Sequence, residues 1–372
     1  MKLCIVTHSI VKGDGQGRVN YEVALEALNR GHNLILLATT IAPELQHNSL
    51  VNWIPIPVKT LPTKLLQNQL FAWHSFQWLR KYQHQLDLII VNGAITWAKS
   101  DVNAAHFIHS SWLKSPFHTS RIRGGIYGFY HWLYTALNAW WEKRAFGQAQ
   151  TVVAVSTQVQ KDLQKIGIDR NKIRTIPNGV DPQEFFPGLV ERQQFDLPKE
   201  VIMGFFAGDL STPRKNLDTV LQSLVRVPEL HLAVAGDLQG SIYPQLAKSL
   251  GIEERVHFLG QRNDVPELMR AMDLLVFPSR YETFGLVVIE AMASGLPVIT
   301  TRSTGACDLV TPECGIVLSE SEDVDSLTQA LMNLTSNSEI RTQMSKAARH
   351  QAESHTWRQV AKSYVDLFEE LG

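Results

Sequence analysis

The chain repeats one local pattern in both halves: short apolar runs without polar alternation, each separated from the next by a helix-length segment. Residues 3–7, 34–38, 86–91 and 151–156 are such runs in the first half, and 201–207, 230–235, 255–259, 274–277 and 297–301 in the second. A strand that is apolar on both sides must be covered on both faces, and helical crossovers between such strands build a parallel sheet. Helical spacing predicts helices over 18–29, 157–165, 215–226, 241–250, 264–271 and 286–294, and a mostly helical tail from 324 that ends in 357–371. Pro182, Pro187, Gly188 and Pro198 punctuate the chain between the two series. With 372 residues there is room for two domains of about 150–200 residues each. The predicted class is therefore α/β, with two Rossmann-like doubly wound domains over 1–185 and 186–354.

Composition removes several other classes. Hydrophobic residues make up 44% of the chain and charged residues 19%, which supports two cores and is unlike a disordered segment. No run approaches the roughly 18 apolar residues of a membrane span. Met1-Lys2-Leu3-Cys4-Ile5-Val6-Thr7-His8 turns polar too early for a secretory leader. Cys4, Cys307 and Cys314 form neither an even disulfide set nor a zinc spacing, which predicts a cytoplasmic setting. The net charge of −1 hides an asymmetry. Through residue 188, 19 Lys and Arg face 11 Asp and Glu, a balance of +8; beyond it 16 face 25, a balance of −9. Opposite charge on the two halves predicts different partners for each. A nucleic-acid binder is more often basic overall, so no nucleic acid is expected.

Two loops carry chemistry. Gly13-Asp14-Gly15-Gln16-Gly17 follows the first strand, but its Gly-x-Gly-x-Gly spacing is not the dinucleotide fingerprint. Residues 34–40 also lack the acidic group that a ribose would need. What remains is a loop whose backbone, at Gly15 and Gly17, can approach a ligand at the end of a parallel strand. A tight turn without a ligand is the plain alternative.

The second loop lies in Ser279-Arg280-Tyr281-Glu282-Thr283-Phe284-Gly285-Leu286-Val287-Val288-Ile289-Glu290-Ala291-Met292. Pro278 and Gly285 put Glu282 on a loop at a strand's end, with a helix beginning near Phe284 or Leu286. Glu290 then falls about one turn into that helix, among Leu286, Val287, Val288 and Ile289. A carboxylate there is expensive unless something hydrogen-bonds to it. The helix start offers free N–H groups and a positive dipole end. Together they predict a pocket that holds an anion and reads hydroxyl groups; a capping glutamate and a solvated one are the plain alternative.

This segment resembles the Glu-x7-Glu signature of the retaining glycosyltransferases of family four, which have the GT-B fold; the match is Glu282 and Glu290. Ile176-Pro177-Asn178-Gly179-Val180-Asp181, Val234-Ala235-Gly236-Asp237 and Val256-His257-Phe258-Leu259-Gly260 are similar to further family features. So is the closing helix Trp357-Arg358-Gln359-Val360-Ala361-Lys362-Ser363-Tyr364. The resemblance spans nearly the whole chain, strongest over 176–300 and weak over 40–150.

The resemblance implies two domains facing a central cleft, with 355–372 returning to the first. It implies that Glu282 hydrogen-bonds donor-sugar hydroxyls, that Glu290 holds the nucleotide ribose, and that the backbone of Phe284, Gly285 and Leu286 faces the sugar and diphosphate. The family's usual arginine is replaced by Asp209 in Gly208-Asp209-Leu210. Thr212-Pro213-Arg214-Lys215-Asn216 follows, and Lys215 and Arg214 are assigned to the diphosphate. His106-Phe107-Ile108-His109-Ser110 resembles the place where the family keeps a histidine near the donor sugar, and His109 is the candidate. A purely structural histidine is the alternative.

Residues 112–147 interleave Trp112, Trp132, Trp140 and Trp141 with Lys114, Arg121, Arg123, Lys143 and Arg144. Such a stretch suits an anionic membrane surface, and a helix hairpin packed on its own domain is the alternative. The expectation is thus a cytoplasmic retaining glycosyltransferase, in peripheral contact with the inner membrane surface. Its donor substrate would be a nucleotide-sugar bound by the acidic second domain. Its acceptor, on the basic first domain, is an unidentified glycan, lipid-linked or small molecule. The one Asp-x-Asp, Asp323-Val324-Asp325, lies in the tail, so neither metal nor cofactor is expected. A nucleotide-sugar epimerase, or a non-catalytic nucleotide-sugar-binding protein on the same architecture, is the rival reading.

Overall fold

A computed structural model of the chain describes residues 1–13, 15–58 and 61–372. It divides into Met1–Asn178 with Trp357–Gly372 as one unit and Gly179–Thr356 as the other. The junction falls at Asn178/Gly179 rather than 185/186, and the chain returns at Trp357 rather than 355. The reason is local. Val180 N–H donates to the His355 carbonyl at 3.0 Å and Val180 bridges Thr356, which ties the two ends of the second unit together. The proline-punctuated stretch after Pro182 also belongs to that unit, because Arg349 donates to the carbonyls of Pro182 (3.2 Å) and Phe185 (2.8 Å).

The first unit runs β1 (Lys2–Val6), β2 (Ser9–Ile10), α1 (Gly15–Asn29), β3 (Asn33–Ala38), β4 (Thr40–Ile41), α2 (Pro43–Gln46), β5 (Val51–Pro55) and α3 (Lys64–Tyr82). It continues with β6 (Leu88–Asn92), β7 (Val102–Ala105), α4 (His109–Lys114), α5 (Thr119–Ile122), α6 (Gly125–Gln148), β8 (Thr151–Ala154), α7 (Thr157–Lys165) and β9 (Ile173–Thr175). Among the described residues one parallel seven-stranded sheet forms in the order β5-β3-β1-β6-β7-β8-β9, with Ile5 opposite Leu36 and Ile90. The central strands are buried along almost their whole length, which is why β1 and β6 read as apolar runs.

Gly15 and Gly17 lie in the first turn of α1, not in a loop before it, and Asp14 lies outside the described residues. Glycine costs most in a helix interior. Here Val19, Val23 and Ala27 bury one face and carry the helix past its glycine-rich start.

The second unit runs β10 (Ile202–Ala207), α8 (Leu217–Leu224), β11 (Leu230–Ala235), α9 (Tyr243–Ser249), β12 (Val256–Gly260), α10 (Val265–Arg270) and β13 (Leu274–Phe277). It ends with α11 (Leu286–Ala293), β14 (Val298–Thr301), β15 (Gly315–Leu318), α12 (Val324–Ser336) and α13 (Ser338–Glu353). Its parallel sheet has the order β12-β11-β10-β13-β14-β15. Phe206, Leu221, Leu232, Leu274 and Leu331 fill its core. Helix α14 (Trp357–Leu371) belongs to the first unit and packs on α1, where Arg30 reaches Asp366 and Glu369 at 2.8 Å each.

In the second sheet the strand order reverses between β10 and β13. Their connections leave in opposite directions, so a crevice opens at the carboxyl ends of these two strands. The loops that follow them hold Arg214, Lys215 and Glu282.

Candidate active site

After β10 the chain enters a loop that two polar residues shape. Asp209 takes the Ser211 N–H at 2.8 Å and the Thr212 hydroxyl at 2.8 Å. Burial pushes its carboxyl up, but these hydrogen bonds and the Arg214 charge outweigh that and hold it below the usual carboxylate range. The acid that stands where the family has arginine is thus a loop-former. Asn216 ends the segment in the left-handed region at φ 68°. It is fully buried, donates to the carbonyls of Pro278 (2.9 Å) and Ser321 (2.6 Å), and accepts from the Thr219 hydroxyl at 2.6 Å.

The loop after β13 is sewn to the first. Arg280 N–H and the Ser279 hydroxyl both donate to the Arg214 carbonyl, at 2.9 and 3.1 Å. The Arg280 guanidinium donates to the Pro213 carbonyl at 2.7 Å and makes a two-pronged pair with Asp218 at 2.9 and 2.6 Å. It also reaches Glu322 at 2.7 Å, with its side chain only 3% exposed. Arg280 therefore holds Pro213-Arg214-Lys215 in place; the planar guanidinium suits such paired acceptors.

Against this frame Glu282 meets the basic pair. Its Oε2 contacts Lys215 Nζ and lies 3.7 Å from an Arg214 nitrogen. Lys215 Nζ also sits 5.0 Å from the centre of the Phe277 ring. Its stem runs beside Gly208, where a Cβ would lie 3.1 Å from Lys215 Cγ. Burial pulls the Lys215 ammonium below its ordinary value despite the attraction of Glu282. Burial likewise pushes Glu282 up, but Lys215 and Arg214 more than offset it and keep the carboxylate ionised.

The backbone of Glu282 is pinned by its N–H to Ser303 O and its carbonyl to Gly305 N–H, both at 2.9 Å. Phe284, 3% exposed, accepts from Ala306 N–H at 2.7 Å. Gly285 then turns the chain into α11 at φ 91°, where a Cβ would also crowd Thr304 at 3.0 Å and Glu282 at 3.1 Å. Only glycine adopts that turn without strain. Leu286 opens the helix, whose first N–H groups have no acceptors within it. Glu290 shares the half-buried face of α11 with Leu286 and Val287.

Lys215, Arg214 and Glu282 are thus brought together, with Phe284, Gly285 and Leu286 at the adjoining helix start. Gly15, Gly17 and His109 belong to the first unit. His109 opens α4, and its Nδ1 lies 2.5 Å from Glu142 Oε1. His106 is enclosed instead, and burial lowers it to about 4. Sequence reasoning assigned no role to Glu142, Arg280 or Asn216. Glu142 left a signal: it is the one acidic residue between Asp101 and Asp162. Among the described residues no group of three or more His, Cys, Asp or Glu is placed to hold a metal ion.

Two family models match the chain, "Glycosyl transferases group 1" over residues 190–351 and "Glycosyltransferase Family 4" over residues 13–184. Mannosylfructose-phosphate synthase of Agrobacterium fabrum is 33% identical over 241 residues, 59% of this chain and 52% of that protein. The lipopolysaccharide glucosyltransferase WaaG of Escherichia coli is 31% identical over 205 residues, 54% of this chain and 52% of that protein. The chain spans about half the length of these curated relatives. A crystal structure of WaaG superimposes with a TM-score of 0.76 at 21% identity, over 98% of this chain and 99% of that one. HepE of Anabaena, solved with UDP and glucose, does so with a TM-score of 0.70 at 22% identity, over 99% of both. The first half matches one glycosyltransferase model and the second half another, and the two parallel-sheet units share the fold of solved glycosyltransferases. The chain belongs to glycosyltransferase family four and has the GT-B fold.

Proposed function

We propose that this chain transfers a sugar from a nucleotide-sugar to an acceptor, with retention at the anomeric carbon and without a metal ion. The observation that carries this reading is the meeting of Lys215 and Arg214 with Glu282 at the carboxyl edge of β10 and β13, in front of α11. A departing nucleoside diphosphate gains negative charge, and two cationic side chains beside a helix start are suited to stabilise it. Glu282, an acceptor held ionised, binds donor-sugar hydroxyls, and Glu290 binds the ribose. In this reading His109 is a further contact of the donor sugar, and Gly15 and Gly17 leave room for a ligand at the start of α1. The acceptor is a glycan, a lipid-linked molecule or a small molecule, bound by the basic first unit. The UDP in the HepE structure supports a uridine nucleotide as the first to try.

A thermal-shift panel of UDP, GDP, ADP and their sugars tests the donor. A ligand at 100 times its Kd stabilises by about 2.7 kcal/mol, so one base should stand out. Product analysis then separates the rivals. A new sugar-nucleotide formed without any acceptor would mean an epimerase, and binding without turnover a non-catalytic protein.

Peripheral contact with an anionic membrane, at the inner surface in the cytoplasm, belongs to the same proposal and rests on α6. Residues 125–141 carry no formal charge, yet Ile126 is 90% exposed, Phe129 62% and Trp140 61%. These three share one stripe at helical spacing with Leu133 and Ala136. Exposed Arg121 and Arg123 precede it and exposed Lys143 and Arg144 follow. Among the described residues no helix is long and apolar enough to cross a membrane, so the stripe would lie along the surface. Each nearby Lys or Arg adds about 1 kcal/mol on anionic lipid. Sedimentation with phosphatidylglycerol vesicles should be strong at about 0.1 M salt and lost at about 1 M, as the screening length falls from about 10 to about 3 Å. Changing Arg121, Arg123, Lys143 and Arg144 together to glutamine should abolish it at low salt with nucleotide affinity intact. No sedimentation at any salt would overturn the contact.

A further inference from the structure

We propose that Glu142 is a positioning residue that fixes the tautomer of His109, and thereby the polarity with which His109 Nε2 meets the transferred sugar. The proposal rests on reading His109 as a sugar-facing group.

Glu142 lies on α6, only 4% exposed, and both of its oxygens are committed to one residue. Oε2 accepts the backbone N–H of His109 at 2.8 Å, and Oε1 lies 2.5 Å from His109 Nδ1. Phe107 and Tyr134 meet the imidazole edge-on, with ring centres 4.9 and 5.9 Å away. An ionised carboxylate can only accept hydrogen bonds. Facing two groups at once, it requires a proton on both. The backbone nitrogen always has one, so Nδ1 must be the protonated ring nitrogen. In the neutral ring Nε2 is then a bare acceptor that can accept a hydrogen bond from a sugar hydroxyl. A buried carboxylate is a costly way merely to satisfy one helix-start N–H, which a neutral serine or asparagine side chain also does. Its particular effect is on the ring.

Glutamine at this position makes the difference readable. It has the same shape but only one acceptor oxygen, and its NH₂ can only donate. If the oxygen keeps the backbone N–H, the NH₂ faces Nδ1. The ring then moves its proton to Nε2 to accept there, and Nε2 becomes a donor. A hydroxyl that donated to Nε2 must turn its proton away from it.

Long-range proton–nitrogen NMR of the ¹⁵N-histidine-labelled full chain reads the tautomer directly. It is recorded at about pH 8.5, two units above the ordinary imidazole value. The wild type should show His109 protonated at Nδ1 and Glu142→Gln at Nε2. Transfer by Glu142→Gln should fall about tenfold, the scale of one hydrogen bond, while its thermal shift with UDP alone stays that of wild type. Glu142→Asp keeps both acceptor oxygens and should retain the Nδ1 tautomer and more of the activity than glutamine. A wild-type ring protonated at Nε2 overturns the proposal without need of any variant. A switched tautomer with unchanged transfer overturns its functional half. If the wild type turns over no nucleotide-sugar at all, the functional reading fails instead, and the tautomer comparison still decides the role of Glu142.

Discussion

Replacing Lys215 with alanine is expected to reduce kcat/KM by about 30- to 1000-fold, the 2–4 kcal/mol that one preorganised charge-stabilising group typically supplies. The surroundings of Lys215 explain why so much rests on it. Its stem is laid along Gly208, its ammonium contacts Glu282 and faces the Phe277 ring, and Arg280 and Asn216 fix the loop on either side. A charge held this way would need no rearrangement if, as proposed, a diphosphate departs beside it.

The same substitution should also cost stability. It leaves Glu282 buried with only Arg214 at 3.7 Å. Stranding one member of a buried pair costs about 3–5 kcal/mol, and Arg214 should moderate that. Activity and stability can be separated. Lys215→Met keeps the stem, and combining it with Glu282→Gln removes the stranded charge, so urea denaturation should show recovery in the double variant while turnover stays low. Wild-type kcat/KM in Lys215→Met would show that the ammonium does not act on the diphosphate.

Much of this arrangement was legible in the sequence because it depends on local signals. Central parallel strands are buried on both faces, so β1, β10 and β13 stood out as apolar runs. Glu282 stood out because Pro278 and Gly285 bracket it in a turn before an apolar helix. Two strands did not: β5 carries Asn52, is only partly buried and ends in Pro55, and β7, although central and fully buried, is interrupted by Asn103, so neither presents an unbroken apolar run. Gly15 and Gly17 were misread because glycine signals a loop where tertiary packing starts a helix. Glu142 and Arg280 escaped for a different reason. Their partners lie 33 and 62 residues away in the chain, and no spacing rule connects a lone carboxylate on α6 to a histidine at the start of α4.

The two glutamates should fail in different ways, and that split is the sharpest test of the donor site. Glu282 is kept ionised by Lys215 and Arg214 against the effect of its own burial. It can therefore accept from sugar hydroxyls throughout the neutral range, at about 1.5–3 kcal/mol for each charge-assisted bond. With two such bonds strengthened toward the transition state, Glu282→Gln should lose on the order of 100- to 1000-fold in transfer. UDP alone should bind it nearly as well as wild type. Glu290→Ala should do the reverse, weakening UDP binding itself. Acid adds an independent check. The folded-state pKa of Glu282 lies below the ordinary 4.5, so its contribution to stability is complete above that value and is lost as pH falls through the depressed one. The stability gap between wild type and Glu282→Gln should accordingly narrow below pH 4.5 and stay constant above it. Equal turnover in wild type and Glu282→Gln would end the assignment of Glu282 to the sugar. If instead both variants lost UDP binding alike, the two glutamates would be holding one nucleotide together rather than dividing sugar from ribose.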